Sequence, residues 1–221
     1  MKFHSRIFSF VFSFVSLFSF SQSNQQQFYL KGMVGIQGSQ IDGDYYAGYN
    51  KAGFIAGLNL FHDFNEKKKI SFSLLYSQKG ARKNPNPEKG SYDYYRASVD
   101  YVEIPLQLYH QFKSFSFFGG CYYGQLIKAK ESNQNGDIVT GVKFKSGDFG
   151  YVLGGEKAIN SRAAIGVRFS YSLIPIRDYF FNGQIYYYNI IQRVFNRGLY
   201  NNTLSFYLNY TIMNSVKKSN E

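Results

Sequence analysis

Apolar and polar residues alternate with a period of two in segment after segment of this chain, a pattern that leaves few folds open. The clearest stretch runs from Tyr101 to Phe112. Val102, Ile104, Leu106, Leu108 and Phe112 share one face of it, and Tyr101, Glu103, Gln107, Tyr109 and Gln111 share the other. Successive side chains of a strand point to opposite sides of a sheet, so such a segment separates an apolar medium from a polar one. Beyond the first residues nothing approaches the roughly 20 apolar residues of a spanning helix. Any crossing of a membrane therefore falls to strands.

The N-terminus reads as an export signal. Lys2 and Arg6 precede an apolar run from Ile7 to Phe20, and Ser19-Phe20-Ser21 supplies the cleavage region. The run is short and interrupted by serines, which disfavours a retained helical anchor. The expected organisation is a signal peptide over residues 1–21, a barrel over 22–213 and a polar tail over 214–221. Cys121 is the only cysteine, so no internal disulfide is available, and it reads as a small strand side chain. The net charge is +11, yet the cations sit singly across turns, loops and strand ends, which argues against nucleic acid. Outer-membrane lipids and anionic lipopolysaccharide are the more economical partners.

Eight strands can be drawn. Phe28, Leu30, Val34 and Ile36 oppose Lys31 and Gln37 in the first, and Phe54, Ala56, Leu58 and Leu60 oppose Gly53, Gly57 and Asn59 in the second. Ile70, Phe72, Leu74 and Tyr76 oppose Ser71, Ser73, Ser77 and Lys79 in the third, and the Tyr101–Phe112 segment is the fourth. The fifth, from Phe115, is apolar on both faces, and the pair Gly119-Gly120 is expected to mark a bulge that shifts its phase. The sixth carries Phe149, Tyr151 and Leu153; the seventh sets Ile165, Val167 and Phe169 against Gly166, Arg168 and Ser170; the eighth sets Leu204, Phe206 and Leu208 against Ser205 and Asn209. Connections alternate between short (the NEKKK turn, Lys113-Ser114, Asn160-Ser161-Arg162) and long, as one barrel end facing the periplasm requires.

Two classes satisfy this alternation. One is an all-β, eight-stranded antiparallel up-and-down transmembrane β-barrel with short periplasmic turns and longer extracellular loops. The other is a soluble, lipocalin-like ligand-binding barrel with its apolar face turned inward. Lys31, Lys79, Glu103, Glu156 and Arg168 all fall on the polar face and would be costly in an apolar calyx. The apolar face is nearly free of charge at mid-strand, where a lysine or arginine facing lipid would cost about 2 to 4 kcal/mol. The membrane version is therefore expected, in the outer membrane of a Gram-negative cell.

The elements KGMVGIQGS, AGFIAGLNL, LLYSQKGA, YVEIPLQLY and FFGGCYYG, taken in order, resemble the outer-membrane β-barrel domain of the PorT-like class. The likeness covers nearly the whole mature chain, and its most specific part is Tyr101-Val102-Glu103-Ile104-Pro105-Leu106. It implies an eight-stranded outer-membrane barrel without catalysis, and some members belong to secretion machinery. Pro105 lacks an amide donor and is expected at a bulge or a distorted ladder position, facing inward beside Glu103. Glu103 is expected to form a lumen network with Arg168 or Lys31.

No catalytic, cofactor or metal residues are assigned. His62 and His110 are outward-facing and near short turns, with no nucleophile at a recognisable spacing. A membrane-embedded lipid hydrolase is accordingly the least favoured reading. A filled eight-stranded interior also disfavours a wide pore. What is left is a structural or interaction role, with an envelope or secretion protein as partner. The candidate contact surface is the last long loop, with Tyr179, Phe180, Phe181, Tyr186, Tyr187 and Tyr188, joined by Tyr45, Tyr46, Tyr49, Tyr92, Tyr94 and Tyr95.

Overall fold

The computed structural model describes residues 28–44, 48–90, 92–138, 143–178 and 198–214. The expected signal, residues 1–21, lies outside them, as does all of the expected tail beyond Asn214. Eight long strands make the wall: β1 (Phe28–Asp42), β2 (Lys51–Asp63), β3 (Lys68–Lys83), β4 (Tyr95–Phe112), β5 (Phe115–Asn133), β6 (Gly147–Ala158), β7 (Ala163–Ser172) and β8 (Gly198–Asn214). Each pairs antiparallel with the next, and β1 pairs with β8, so the sheet closes on itself with no free edge along its main body. Two-residue pairings, Gly136–Asp137 on β5 and Arg177–Asp178 on β8, decorate the long-loop end.

The sense of the alternation is decided by β3. Phe72 and Leu74 are 53% and 54% exposed, while Ser71, Ser73, Ser77 and Lys79 are at most 1% exposed. The other strands follow, with Ile36, Phe54, Leu108, Leu153, Ile165 and Phe206 outward. Charges are buried and aliphatic side chains are bare, the reverse of a water-soluble barrel. This overturns the lipocalin-like alternative, since the interior is no apolar calyx. Outward aromatics run along the wall, with Phe28, Phe64, Phe112 and Phe115 at the short-turn end, Phe72, Phe117 and Phe206 between, and Tyr76, Tyr123, Tyr151 and Tyr171 toward the other end. From Val102 to Phe112 the outward face of β4 carries no charge. At ~3.3 Å per residue and a tilt near 40° those residues span about 25 Å, the height of an outer-membrane apolar band.

The short turns are shaped by asparagine. The Asn65 side-chain oxygen accepts the amides of Lys67 (3.0 Å) and Lys68 (2.9 Å), and Asn160 accepts those of Arg162 (2.8 Å) and Ala163 (2.7 Å). Between β4 and β5 the two-residue turn takes Lys113 to a φ of 56°, as a tight hairpin demands.

Two local expectations are corrected or sharpened. The glycine pair in β5 is no bulge: pairing with β4 runs without interruption from Phe112↔Phe115 to Tyr101↔Leu126, and the register shifts only beyond it, at Asp100/Tyr101, where Ile127 is the extra residue. The phase is therefore constant through the pair, and β5 is apolar on both faces because Phe118 and Tyr122 point into the lumen. Gly120 is required for another reason, as a Cβ there would collide with the Leu106 carbonyl. At Pro105 the β3–β4 ladder is interrupted between Phe72↔Leu106 and Leu75↔Glu103 with no change of register. This is the distorted ladder that a missing amide produces, and not a bulge.

The inward aromatics explain the glycines of β6 and β7. Tyr122 lies directly across from Gly150, Phe118 from Gly154, and Tyr207 from Gly166. A Cβ on any of these three glycines would run into the facing ring. Phe61, Tyr109, Phe118, Tyr122 and Tyr207, with Met33, Ile55, Leu75 and Val152, form one buried cluster that fills the interior.

Candidate functional site

Below the aromatic cluster, at the short-turn end, Glu156 is the organising group. Its Oε1 accepts the Tyr207 hydroxyl at 2.9 Å and the Asn209 amide at 2.7 Å, and Asn59 donates to Asn209 at 2.9 Å. A cavity of about 500 Å³ opens here, lined by Lys31, Asp63, Lys69, Glu156 and Arg162.

In the body of the lumen Lys79 is completely buried and bridges two carboxylates, Glu103 Oε1 at 2.7 Å and Asp148 Oδ2 at 3.0 Å. Arg168 Nη2 donates to Glu103 Oε2 at 2.8 Å. Asp148 in turn accepts the Ser172 hydroxyl (2.7 Å), the Asn201 side-chain amide (2.9 Å) and the Tyr122 hydroxyl (3.1 Å). Two cations and two carboxylates balance, so the lumen holds charge without carrying net charge. Removing any one member would strand another in a site shielded from water.

The expected pairing of Glu103 divides accordingly. Arg168 sits against it, whereas Lys31 lies apart, its ammonium 4.8 Å from the centre of the Phe61 ring and 5.5 Å from that of Tyr29. The strand phase that put Lys31 on the lumen face says nothing of its height, and Lys31 belongs to the short-turn end. Lys79 takes the position given to it. Asp148 was missed, although its signal was present: with Phe149, Tyr151 and Leu153 outward, Asp148 falls inward on the same strand.

The long-loop end is closed by chain rather than by strand. Ile176 is fully buried with Ile41, Ala81 and Ala97, against which Tyr95, Phe144 and Leu199 pack. Its amide donates to the Leu199 carbonyl at 2.8 Å, and its own carbonyl accepts from Lys145 at 2.7 Å. Next to it Arg177 grips Glu131 through both guanidinium nitrogens at 2.7 to 2.8 Å. Tyr95 adds a 2.6 Å bond to the same carboxylate, and the Phe144 ring lies 4.1 Å from the guanidinium. No single segment announces this clasp, because its members come from the ends of β4 and β5 and from two separate connections.

Of the candidate contact residues, Tyr179, Phe180, Phe181, Tyr186, Tyr187 and Tyr188 lie outside the described residues, as do Tyr45 and Tyr46. Tyr92 is exposed, Tyr49 donates to Asn202 at 2.7 Å, and Tyr95 is turned inward to Glu131. His62 stacks on Phe28 at 4.4 Å at the short-turn rim, His110 is exposed opposite Lys68, and Cys121 faces outward. Neither histidine touches a nucleophile or a carboxylate among the described contacts. Among the described residues no three His, Cys, Asp or Glu side chains come together as a metal site.

Eight antiparallel strands closed into a ring, apolar outside and charged within, define a β-barrel of the Gram-negative outer membrane. Residues 12–178 match the outer membrane protein beta-barrel domain, and the chain belongs to that family. Among solved structures it is similar to Ail, the attachment invasion locus protein of Yersinia pestis, with a TM-score of 0.50 and 14% identity over 86% of this chain and 100% of that one. Neisserial surface protein A, NspA, matches with a TM-score of 0.49 and 10% identity over 84% of this chain and 97% of that one. OprG from Pseudomonas aeruginosa matches with a TM-score of 0.36 and 12% identity over 84% and 93%. At such identities the likeness concerns the fold alone. No match was found among curated proteins.

Proposed function

We propose that this barrel is a non-enzymatic protein of the PorT-like class, exported by a cleaved signal, whose extracellular end engages an envelope or secretion protein while its wall contacts outer-membrane lipids and lipopolysaccharide. The observation that carries the reading is the filled lumen. Among the described residues aromatic rings and a neutral ion cluster occupy the interior, which favours the outer surfaces as the working parts.

Deleting Phe180–Tyr188 is the test for the loop partner. Crosslinking followed by recovery of the barrel should lose the partner, while heat-modifiable gel mobility shows that the barrel still folds. Unchanged recovery would overturn the loop assignment. Release of fatty acid from phospholipid by the purified barrel would overturn the non-enzymatic reading.

A further inference from the structure

On the outward face of β3, β4 and β5 the apolar band ends at one level. Tyr76, across from Val102, donates to Asp100 at 3.0 Å and Tyr123, across from Ile104, to Gln125 at 2.9 Å, and below them come Leu74, Leu106 and Cys121. Above this level the strands continue, and beside Ile127, Gln78 and Ser98 their outward side chains include several cations. Lys128 lies across from Asp100, Lys130 across from Ser98, and Arg96 across from Arg82. A cavity of about 420 Å³ opens on this face, and Lys51, Arg96, Lys128 and Lys130 contribute to its lining against a single carboxylate, Asp100.

The charges in this cavity are poorly matched. Lys130 reaches Asp137 at 3.2 Å, but among the described residues no ion pair holds Arg96 or Lys128 of the lining, or Arg82 across the ladder from Arg96. Arg82 and Arg96 are like charges directly opposite in the ladder, an arrangement that destabilises a sheet unless an anion intervenes. The Lys51 ammonium is held below its ordinary range by burial and then by Arg96 and Arg82, with Asp100 only partly opposing them. A concave, cation-crowded site one or two residues above a lipid-facing surface matches one ligand class, an anion whose own tail lies in the membrane. Phosphate monoesters suit it, since guanidinium and ammonium groups bind phosphate through charge-assisted bonds.

We infer that this pocket binds the phosphorylated headgroup of an outer-leaflet glycolipid, with Arg96 and Lys128 as its principal contacts and the acyl chains lying on Leu74, Val102 and Ile104. The inference rests on the lipopolysaccharide contact proposed above and specifies where and through which group it is made. It is independent of the protein partner of the last loop.

The experiment uses the full mature barrel folded in a non-ionic detergent and native mass spectrometry with three probes: bisphosphorylated lipid A, the same lipid dephosphorylated, and inorganic phosphate. The wild type should hold bisphosphorylated lipid A and lose most of that binding with the dephosphorylated form. Arg96→Ala and Lys128→Ala should each weaken it about tenfold or more, as expected for loss of a charged hydrogen bond. Lys157→Ala, near the short-turn end, should leave it unchanged. Heat-modifiable mobility verifies that each variant is folded. No lipid A binding by the wild type would overturn both the lipopolysaccharide contact and this site. Wild-type binding that survives both substitutions would overturn the site alone. Equal binding of the dephosphorylated lipid would overturn phosphate recognition, and inorganic phosphate binding as tightly as lipid A would make this a site for the free ion.

Discussion

The wall of this barrel is uneven. β4 and β5 run for 18 and 19 residues, whereas β6 and β7, which continue the same ring, run for 12 and 10. A membrane strand needs about 9 to 11 residues, so the low wall is little more than its transmembrane part while the tall wall projects beyond the bilayer. They also differ in composition. The low wall is glycine-rich and receives rings from its neighbours, Tyr122 over Gly150 and Phe118 over Gly154. The tall wall supplies those rings and carries cations above the apolar band. One wall serves to close the lumen and the other presents a surface to the outside, so sequence changes should act differently on the two.

The lumen network joins both walls and should give the largest effect. Lys79 and Glu103 come from β3 and β4, Asp148 and Arg168 from β6 and β7. Lys79→Met leaves two buried carboxylates with too little positive charge and should cost about 3 to 5 kcal/mol, read by urea unfolding in lipid vesicles. Adding Glu103→Gln should recover part of that loss. A cost under about 1 kcal/mol would mean that the walls are not held together by this cluster.

Substitution within the low wall should come next. A Cβ at Gly150 meets the Tyr171 carbonyl and the Tyr122 ring, while one at Gly124 of β5 finds only ordinary contacts with Tyr101 and Asp148. Gly150→Ala should destabilise by about 1 to 3 kcal/mol, as overpacking does, and Gly124→Ala should be neutral or slightly stabilising. Equal effects in the same urea titration would remove the packing distinction.

Arg177→Ala should act locally. It releases Glu131 from the clasp that ties the low wall's outer connection to β5, so chymotrypsin should cut near Phe144 and Leu199 several times faster while heat-modifiable mobility stays as in the wild type. Loss of the folded band would instead make the clasp part of the barrel's global stability. The smallest effect is expected at Lys83, whose pairing with Asp93 at 3.2 Å is solvent-exposed. Lys83→Ala should stay within about 0.5 kcal/mol of wild type.

The ring, its strand order and the division of most side chains between two faces are legible because period-two alternation and alternating connection lengths are local properties, while the sense of the two faces is legible only from the charges gathered on one of them, Lys79, Glu103, Glu156 and Arg168. Glu103, Arg168 and Lys79 were placed on the lumen face for that reason. Height along the barrel is a matter of register between strands, which no single strand encodes, and so the strand phase offers Lys31 beside Arg168 as a partner of Glu103, whereas Arg168 and Lys79 are the cations that reach it. In β5 the rings of Phe118 and Tyr122 obscured the alternation, since inward aromatics look like lipid-facing ones until the glycines across from them are known. The clasp of Arg177, Glu131 and Tyr95 depends on how connections fold over the mouth, and the basic pocket depends on three strands being stacked in register. Neither has a signature within one segment.

Pairing of β1 with β8 has a consequence for how the molecule is made. Every other neighbouring pair of strands is also adjacent in the chain and can form as a hairpin as soon as its turn is in place. The β1–β8 pair instead joins Tyr29 to Asn214 and Asp42 to Tyr200, residues from opposite ends of the sequence. Contacts of such high sequence separation form slowly, because the entropy of bringing the ends together is lost before any bond repays it. On this ground the seam is expected to close after the hairpins. Tyr207 lies beside it, its backbone across from Gly35 of β1 and its ring packed over Gly166 of β7, so the side chain can be seated from the hairpin side before β1 arrives.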